Sequence, residues 1–482
     1  MKRTKILCTI GPASWDYDTL DRMVKEGMDA ARLNFSHGTY ATHKKIISAI
    51  RKVSEKHAAN IAIVQDLQGP RIRLGKLPQE GVEVKKGESI ILTTDKRYED
   101  NYKDKKFFVT YENLHKDIQE GEMILISDGL IEVKVKQIEK KDIKGKVIIG
   151  GLLESNKGIN LPETDLSISP ITEKDKEDLE FGVKQNIDWV ALSFVGHAKD
   201  ILDLKYLIKK IEKENKIKPA NPIKIIAKIE KADALRHIDD ILEVVDGIMI
   251  ARGDLGLEIP AQDVPLAQKT IIDKCLERSK PVIVATQMLD SMMRNQRPTR
   301  AEVSDVANAV IDHTDVVMLS GETASGKYPV ESVQMMSSII RKTENSVYDD
   351  MKTEVYIKKK IETIDEAVSR ISNIMAQTTQ IRIILVTTMS GHTARTISRY
   401  RPEIPIYAST HDDRVQRQLS LSWGVKSFIL PRCESIEELF DRAIFYLKKN
   451  KIVKVNDKIL ILAGEPVGVK GNVNMIEIKL IK

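Results

Sequence analysis

An acid and two arginines follow one short apolar run near the N-terminus. The segment IVQDLQGPRIRLG, residues 63–75, places Asp66 at the end of a buried-strand pattern, with Arg71 and Arg73 beyond a glycine–proline turn. Guanidinium groups keep their charge at any working pH and bind phosphate or carboxylate oxygens through a planar fork of donors. The segment therefore predicts a site for an anionic ligand.

The same kind of ending recurs on seven other apolar runs. The eight runs are KILCTI, DAARLNF, IAIVQDL, DWVALSF, IKIIAKI, DGIMIA, PVIVAT and DVVMLS, and polar or charged residues stand at the end of each. A single polar residue at a strand end is common near solvent, but eight in one chain require another explanation. Charges that converge on one place need a ligand or a metal to balance them.

Two of these endings carry the residues expected for metal and phosphate chemistry. Glu230 and Asp254 are hard oxygen donors suited to Mg²⁺ or Mn²⁺. Lys228 lies two residues before Glu230, so both side chains point to the same side of an extended strand. Together with Arg32 and Arg73, Lys228 is expected to bind a multiply anionic substrate. A divalent metal combined with Arg and Lys side chains is typical of phosphoryl transfer.

The elements that position these residues alternate through the first 350 residues. Helix-length segments with a period near 3.6, such as residues 18–27, separate most of the eight runs. Eight βα units in series predict an α/β protein built on a closed (β/α)8 TIM barrel, whose chemistry lies at the strand ends. In that setting, the Gly253–Asp254 segment predicts a helical turn whose free N–H groups suit a carboxylate.

Two segments depart from this alternation. Residues 70–169 alternate with period two, as in LIEVKVKQI, and predict an inserted small β-barrel domain that acts as a lid. Residues 346–482 restart an α/β pattern and predict an open-sheet regulatory domain that begins with an amphipathic helix at residues 363–378, with Ile364 and Ile371 on its apolar face. The catalytic barrel is accordingly assigned to residues 1–69 and 170–345.

Composition excludes several classes of protein. The 482 residues are 42% hydrophobic and 30% charged, and the net charge of +6 comes from interspersed Lys and Glu rather than a basic tract, which argues against nucleic-acid binding. Cys8, Cys275 and Cys433 show neither metal spacing nor a disulfide framework. No run approaches the ~20 apolar residues of a membrane span, and the N-terminal run is too short for a signal peptide. A cytoplasmic protein is expected.

The longer motifs resemble the pyruvate kinase family over essentially the whole chain. The matching segments are TIGPAS (9–14), RLNFSHG (32–38), KGINLP (157–162), AKIEK (227–231), ARGDLGLEIP (251–260), and the nearly continuous residues 285–310 and 318–329. The resemblance implies a barrel with an inserted lid and a C-terminal α/β domain, in a homotetramer. It also implies Mg²⁺-dependent or Mn²⁺-dependent phosphoryl transfer from phosphoenolpyruvate to ADP, which gives pyruvate and ATP.

The resemblance also assigns roles to individual positions. Lys228 is expected to stabilise the transferring phosphoryl group and the enolate, while Glu230 and Asp254 hold the divalent metal. Arg32 is expected to hold phosphate, and the N–H groups near Gly253 to receive the substrate carboxylate. The remaining implied positions are Thr286, near the face where the enolate is protonated, and Pro12, His37 and Lys157, around a nucleotide that brings its own Mg²⁺.

One departure from the common family pattern concerns a monovalent cation. In many members the positions of Asn34, Ser36, Asp66 and Leu67 help to hold K⁺, and these members have an acid at position 71, a lysine at 68 and a threonine at 74. This chain has Arg71, Gln68 and Leu74. The family's K⁺-independent branch usually has lysine at position 71, with Gln and an aliphatic residue at the other two positions. The resemblance therefore implies that Arg71, paired with Asp66, is a tethered substitute for the ion, while Arg73 serves the substrate phosphate.

A second departure concerns regulation. The segment Thr388–Thr393 follows a strand and opens a helix, and the hydroxyls of Thr388, Ser390 and Thr393 with the backbone near Gly391 suit a phosphate. Family members activated by fructose bisphosphate often carry lysine where this chain has Met389. The sequence therefore predicts a phosphomonoester effector such as AMP or a sugar monophosphate, with a plain helix N-cap as the alternative.

Two other functions stay open at this point. A metal-dependent aldolase on a related barrel also handles a pyruvate enolate, but it would need neither a nucleotide site nor the C-terminal domain. A non-catalytic nucleotide-binding regulator would be expected to have lost Lys228, Glu230 or Asp254, and all three are present. An assay for ATP formation distinguishes the aldolase and the regulator from an enzyme that transfers phosphate to ADP.

Overall fold

The chain alternates strands and helices around two sheet systems and an all-β insert. The computed structural model describes residues 2–100, 102, 105–349, 363–465, 468 and 473–482. The strands are β1 (Lys5–Thr9), β2 (Ala30–Asn34), β3 (Ala62–Asp66), β4 (Val82–Val84), β5 (Ser89–Thr93), β6 (Lys106–Phe108), β7 (Met123–Ile126), β8 (Ile131–Glu139), β9 (Asp142–Ile149), β10 (Gly151–Leu153), β11 (Ile159–Asn160), β12 (Trp189–Leu192), β13 (Lys224–Ile229), β14 (Gly247–Ala251), β15 (Val282–Ala285), β16 (Val316–Leu319), β17 (Ile381–Thr387), β18 (Ile406–Thr410), β19 (Val425–Ile429), β20 (Lys458–Ala463) and β21 (Met475–Leu480).

Helices connect most of these strands. They are α1 (Tyr17–Glu26), α2 (Tyr40–Lys56), α3 (Leu114–Asp117), α4 (Glu173–Lys184), α5 (Ala198–Glu214), α6 (Ala232–Arg236), α7 (Ile238–Val244), α8 (Arg252–Glu258), α9 (Val264–Glu277), α10 (Arg300–Ile311), α11 (Gly321–Ala324), α12 (Pro329–Glu344), α13 (Ile364–Thr378), α14 (His392–Ser398), α15 (Asp413–Gln418) and α16 (Ile436–Lys449). Local sequence sets several starts, as where Thr299 and Glu302 form a capping box before α10. No helix of the described residues is long and apolar enough to cross a membrane.

Eight parallel strands form the closed barrel that the sequence predicts. Around the ring, the order is β1-β16-β15-β14-β13-β12-β3-β2. Their apolar side chains are buried on both faces, because the interior is filled by residues such as Trp189 and Met249 while the outer face packs against helices. Parallel pairing brings all eight carboxyl ends to one mouth, as the register of Asn34 with Asp66 shows.

The insert is all-β, and its hydrogen bonding divides it into two sheets. Six strands pair in the order β11-β7-β8-β9-β5-β6, and β4 pairs only with β10. Both sheets cover one apolar core rather than continuing into one small barrel. The short β4 limits its own pairing, and register shifts between β8 and β9 bend the larger sheet. The predicted alternation in β8 is confirmed, since Ile131, Val133 and Val135 are buried.

The C-terminal residues form an open five-stranded sheet in the order β19-β18-β17-β20-β21, with β21 antiparallel. Helix α13 packs differently from the predicted apolar face. Ile364 and Ile371 are exposed, whereas Ser369 and Ser372 are buried. Val368 and Met375 of the predicted face do pack against the core of this domain, so the prediction holds for part of the face, and the buried stripe also includes small polar residues.

This C-terminal sheet domain packs against the barrel at the end opposite the mouth. Asp188 and Asp315 directly precede β12 and β16, and they pair with Arg417 at 2.8 Å and Arg401 at 3.0 Å. Lys224, the first residue of β13, is also buried on this side. The arrangement links the C-terminal domain to the starts of the strands whose ends carry the predicted site.

Candidate active site at the barrel mouth

A cavity of about 440 Å³ lies between the barrel mouth and the insert. The predicted site residues that line it are Arg32, Asn34, Ser36, Asp66, Leu67, Arg71, Arg73, Lys157, Lys228, Glu230 and Asp254. They come from the ends of β2, β3, β13 and β14 and from the two connections of the insert. The structure thus brings most of the predicted groups into one cavity.

Asp66 is the buried centre of the positive cluster. Its Oδ2 accepts a hydrogen bond from Arg32 Nε at 2.6 Å, and its Oδ1 lies 3.4 Å from Lys228 Nζ. Burial alone would raise the pKa of Asp66, but Arg32 and Lys228 hold it below the ordinary value. The carboxylate is therefore ionised and fixes both cations.

The predicted pairing of Arg71 with Asp66 is wrong in this structure. Arg71 Nη2 instead donates to the hydroxyl of Ser36 at 3.1 Å. Both oxygens of Asp66 already face Arg32 and Lys228, and the Arg71 side chain lies at an exposed position of the cavity lining. Arg73 donates to the backbone carbonyl of Asn156 at 3.3 Å from the same edge.

Lys228 is held by three oxygen acceptors. Its ammonium lies 2.8 Å from Glu230 Oε1, 2.7 Å from Ser193 Oγ and 3.4 Å from Asp66 Oδ1. Burial lowers the pKa of Lys228, but the two carboxylates reverse that effect and raise the pKa above its ordinary value. Lys228 is a charged group with a fixed direction, as stabilisation of a developing oxyanion requires.

Glu230 and Asp254 supply paired carboxylates on the same side of the cavity. Glu230 is buried, and its Oε2 accepts the N–H of Phe194 at 2.6 Å. Burial raises the pKa of Glu230, Lys228 opposes the shift, and Asp254 adds to it. Burial likewise raises the pKa of Asp254, with Lys228 opposing and Asp128 of the insert adding. These oxygens fit a divalent cation, since a positive charge between them would offset both burial and repulsion.

The oxygens expected around a monovalent cation all have protein donors. Asn34 Oδ1 accepts the N–H of Ser36 at 3.0 Å, and Ser36 Oγ accepts from Arg71. The carbonyl of Leu67 accepts the hydroxyl of Ser193 at 2.8 Å. Asp66, as described above, is paired with two cations. Each oxygen expected around the cation therefore already accepts a hydrogen bond or an ion-pair contact from a donor of the chain.

Thr286 and Gly253 meet at the next two strand ends. Gly253 lies in α8, the short helix that the sequence predicts after β14, and its N–H donates to Thr286 Oγ1 at 2.9 Å. The Thr286 hydroxyl in turn donates to the carbonyl of Ala285 at 2.7 Å. Thr286 has a left-handed φ of 67°, a strained conformation for a β-branched residue that recurs at functional sites.

The residues predicted around a nucleotide lie at the rim. Lys157 lines the cavity and pairs with Glu154 at 3.0 Å. Pro12 and His37 are exposed in the connections after β1 and β2 and do not line the cavity wall. The backbone carbonyl of His37 contacts His43 Nε2 at 2.9 Å, which fixes the connection while its own ring stays outside.

A second cavity of about 210 Å³ lies in the C-terminal domain. Thr388, Ser390 and Thr393 line it, as the sequence predicts for an effector loop, and so does Arg432. Gly391 has a φ of 78° and donates its N–H to Thr388 Oγ1 at 3.0 Å. The loop therefore presents hydroxyls beside a cationic side chain.

Ser193, Asp128 and Glu258 are among the lining residues of the main cavity that sequence reasoning did not assign to the site. Ser193 was visible as the polar end of the fourth run, but its contact with Lys228 depends on the closed barrel. Asp128 and Glu258 also line the cavity. Asp128 lies in the turn between β7 and β8 of the insert, and nothing in the alternating pattern of the insert indicates that this turn reaches the mouth. Burial raises the pKa of Glu258 to about 7.

Comparisons with known proteins agree with this geometry. The family description "Pyruvate kinase, barrel domain" matches residues 1–333, and "Pyruvate kinase, alpha/beta domain" matches residues 366–479. The chain is 41% identical over 483 residues to a pyruvate kinase of Sporosarcina psychrophila and 42% identical over 482 residues to one of Geobacillus stearothermophilus. Each alignment covers the whole chain and 81% or 80% of the relative.

A solved structure supports the same assignment at the level of the fold. The crystal structure of a pyruvate kinase from Cryptosporidium parvum superposes with a TM-score of 0.92 at 35% identity, and it covers 100% of this chain and 96% of that one. Sequence relatives, both family descriptions and the three-dimensional match therefore converge. The chain belongs to the pyruvate kinase family.

Proposed function

We propose that the cavity at the barrel mouth transfers phosphate from phosphoenolpyruvate to ADP with the help of Mg²⁺ or Mn²⁺ and without K⁺. Membership of the family makes the chain a phosphotransferase whose substrates are phosphoenolpyruvate and ADP or ATP. The observation that carries the proposal is the joint presence of Lys228, Arg32, Glu230 and Asp254 in one buried cavity. Enzymes that transfer phosphoryl groups usually lower the activation barrier with fixed charges that stabilise the transition state.

The cationic residues are assigned to the substrate phosphate and the enolate. Arg32 is anchored by Asp66 and by Thr9 Oγ1, so its Nη2 would bind an anion with little further loss of rotamer freedom. Lys228 places its ammonium where the enolate oxygen gains charge as the phosphoryl group leaves. Arg73, at the edge below the insert, adds a second guanidinium for the phosphate.

Glu230 and Asp254 are assigned to the divalent metal. When bound, this ion supplies positive charge next to the enolate and phosphate oxygens. Without it, the two carboxylates would repel an anionic substrate. Burial raises the pKa of both groups, and a bound divalent cation would offset that effect. Lys228 partly compensates through its ion pair with Glu230.

Gly253 and Thr286 are assigned to the substrate carboxylate and the protonation face. A carboxylate oxygen can replace the Thr286 hydroxyl as the acceptor of the Gly253 N–H. The hydroxyl would then be able to donate to the ligand instead of to Ala285. Release of a strained Thr286 from this internal contact upon binding fits its left-handed backbone.

Arg71 is assigned as the tethered substitute for K⁺, although its contact differs from the predicted one. Its guanidinium donates to Ser36, one of the residues expected around the cation. It also supplies positive charge near Asp66, as the K⁺ ion does in other members of the family. Burial and Arg73 lower the pKa of Arg71, but an arginine remains charged at neutral pH. Asn34, Ser36, Asp66 and Leu67 each have a hydrogen-bond or ion-pair partner within the chain.

The nucleotide is assigned to the rim, at Pro12, His37 and Lys157, below the insert that serves as lid. In the proposed organisation, residues 1–69 and 170–345 form the catalytic barrel, 70–169 the lid, and 346–482 a regulatory domain that binds a phosphorylated effector. A homotetramer is also proposed. The edge strand β21 supports subunit pairing, because Ile478 and Leu480 on it are exposed.

The test is ATP formation from phosphoenolpyruvate and ADP, measured with Mg²⁺ and again after chelation of divalent cations. The proposal predicts ATP only in the presence of the metal. Carbon–carbon bond cleavage of a pyruvate-derived aldol without ATP formation would favour the aldolase. Nucleotide binding without either reaction would favour a regulator.

A further inference from the structure

Ser193 joins the catalytic lysine to the backbone of a neighbouring strand end. The Ser193 hydroxyl lies 2.7 Å from Lys228 Nζ and 2.8 Å from the carbonyl oxygen of Leu67. The residue is 2% exposed and follows β12, between β3 and β13 in the barrel. The three groups therefore form a short buried chain across adjacent strands.

The direction of both hydrogen bonds follows from the chemistry of the groups. The carbonyl of Leu67 can only accept, so the single hydroxyl proton of Ser193 points to it. An ammonium can only donate, so Ser193 offers a lone pair to Lys228. Because Leu67 can only accept and Lys228 can only donate, the orientation of the Ser193 hydroxyl is fixed. Its lone pair therefore sets one preferred direction for the Lys228 ammonium.

Ser193 differs from the other two acceptors of Lys228. Glu230 is assigned to the divalent metal, and a metal competes with the ammonium for the same oxygens. Asp66 is shared with Arg32 and lies farther away, at 3.4 Å. Ser193 carries no charge and pairs with no other cation within the described chain, so it remains available to Lys228 throughout the reaction.

We propose that Ser193 is a positioning residue for the catalytic lysine, which it keeps directed at the substrate when the metal occupies Glu230. This inference rests on the proposed role of Lys228. Without the Ser193 lone pair, the ammonium moves toward the Asp66 carboxylate, the acceptor that the metal leaves available, and away from an anionic substrate. The transition state then loses part of its charge stabilisation, while binding of substrate through Arg32 changes little.

The test compares two replacements of Ser193 in the full-length enzyme. Ser193→Ala removes the acceptor, and Ser193→Cys keeps a side chain of similar shape whose sulfur accepts hydrogen bonds only weakly. Both variants are expected to lower kcat by about 10- to 100-fold, the range for residues that orient a catalytic group, with KM for phosphoenolpyruvate changed by less than about threefold.

Ser337→Ala is the matched control. Ser337 is equally buried, and its hydroxyl donates to the carbonyl of Glu26 at 2.6 Å, far from the lysine. Its loss is expected to leave kcat within about twofold of the parent enzyme even where the unfolding temperature falls. A kcat of Ser193→Ala within that same range, or recovery of turnover in Ser193→Cys, would overturn the positioning role.

A parallel measurement of Lys228→Met separates this inference from the proposed function. Loss of turnover in Lys228→Met with normal turnover in Ser193→Ala would remove only the role of Ser193. Normal turnover in Lys228→Met would remove the assigned role of the lysine itself, and with it the reason for a positioning residue.

Discussion

Lys228 and Glu230 form a buried ion pair of 2.8 Å although only one residue separates them along the chain. Lys228 lies on β13 and Glu230 directly follows that strand, so their side chains leave the strand on the same side. Their side chains are 12% and 3% exposed. The pair keeps two opposite charges stable in a buried position by compensating one with the other.

Replacement of the lysine tests its assigned role. Lys228→Met is expected to raise the activation barrier by about 3 kcal/mol or more, because the charge that stabilises the enolate is lost. Since Glu230 and Asp66 then lose a buried partner, some loss of thermal stability is also expected. Circular dichroism establishes that the variant folds, and turnover near that of the parent enzyme would refute the assignment.

The assigned metal carboxylates make a separate prediction. Glu230→Gln and Asp254→Asn are each expected to raise the Mg²⁺ concentration needed for half-maximal rate by about 10-fold or more, because each loses an anionic ligand. Glu258→Gln is the control, since Glu258 lines the same cavity without being assigned to the metal. An unchanged Mg²⁺ requirement in the first two variants would contradict the assignment.

Lys224 makes a prediction about stability and pH. Burial, with Arg395 nearby, lowers the pKa of Lys224 from 10.5 to about 7, and its nearest carboxylate oxygen, Asp246 Oδ1, is 3.9 Å away. As pH falls from 10.5 toward 7, the unfolded chain binds a proton that the folded chain does not, so the lysine destabilises the fold progressively. Each pKa unit corresponds to about 1.4 kcal/mol.

Lys224→Met removes this proton linkage. The variant is expected to unfold at a higher temperature than the parent enzyme near neutral pH, and the difference should shrink toward about pH 10. Thermal unfolding of both proteins across this range measures the effect. A difference that is independent of pH would show that the lysine is not held uncharged by burial.

The second cavity predicts an effector response. AMP or a sugar monophosphate such as glucose 6-phosphate is expected to change the phosphoenolpyruvate concentration for half-maximal rate, and Arg432→Gln is expected to weaken that response by about 10-fold or more through loss of a charged phosphate contact. Arg442→Gln, at an arginine that pairs with Glu438, serves as control. No response to any phosphorylated metabolite would leave the loop as a plain helix N-cap.

The sequence was sufficient to predict the barrel and most groups in its mouth. Strand ends of a parallel barrel must meet, so Lys228, Glu230 and Asp254 were assigned to one site from periodicity and order alone. The partner of Arg71 was not predictable in the same way. Its choice between Asp66 and Ser36 depends on side-chain reach and on which acceptors Arg32 and Lys228 already occupy.

Helix α13 illustrates another limit of pattern reasoning. Its periodicity correctly predicts a helix, but only part of the predicted apolar face packs against the core of the domain. Ser372 is buried, whereas Ile371 is exposed. Hydrophobic periodicity reports which residues avoid water, and it does not distinguish the core of one subunit from a surface that a second chain covers.

The most direct test of the proposed mechanism is the rate of ATP formation from phosphoenolpyruvate and ADP with Mg²⁺ and tetramethylammonium as the monovalent cation, with and without added K⁺. The Arg71→Gln variant is measured alongside. Because the Arg71 guanidinium supplies the charge and the oxygens around Asn34 and Leu67 are satisfied internally, the parent enzyme should reach nearly its full rate without K⁺, and Arg71→Gln should become K⁺-dependent. Strong activation of the parent enzyme by K⁺ would contradict the account.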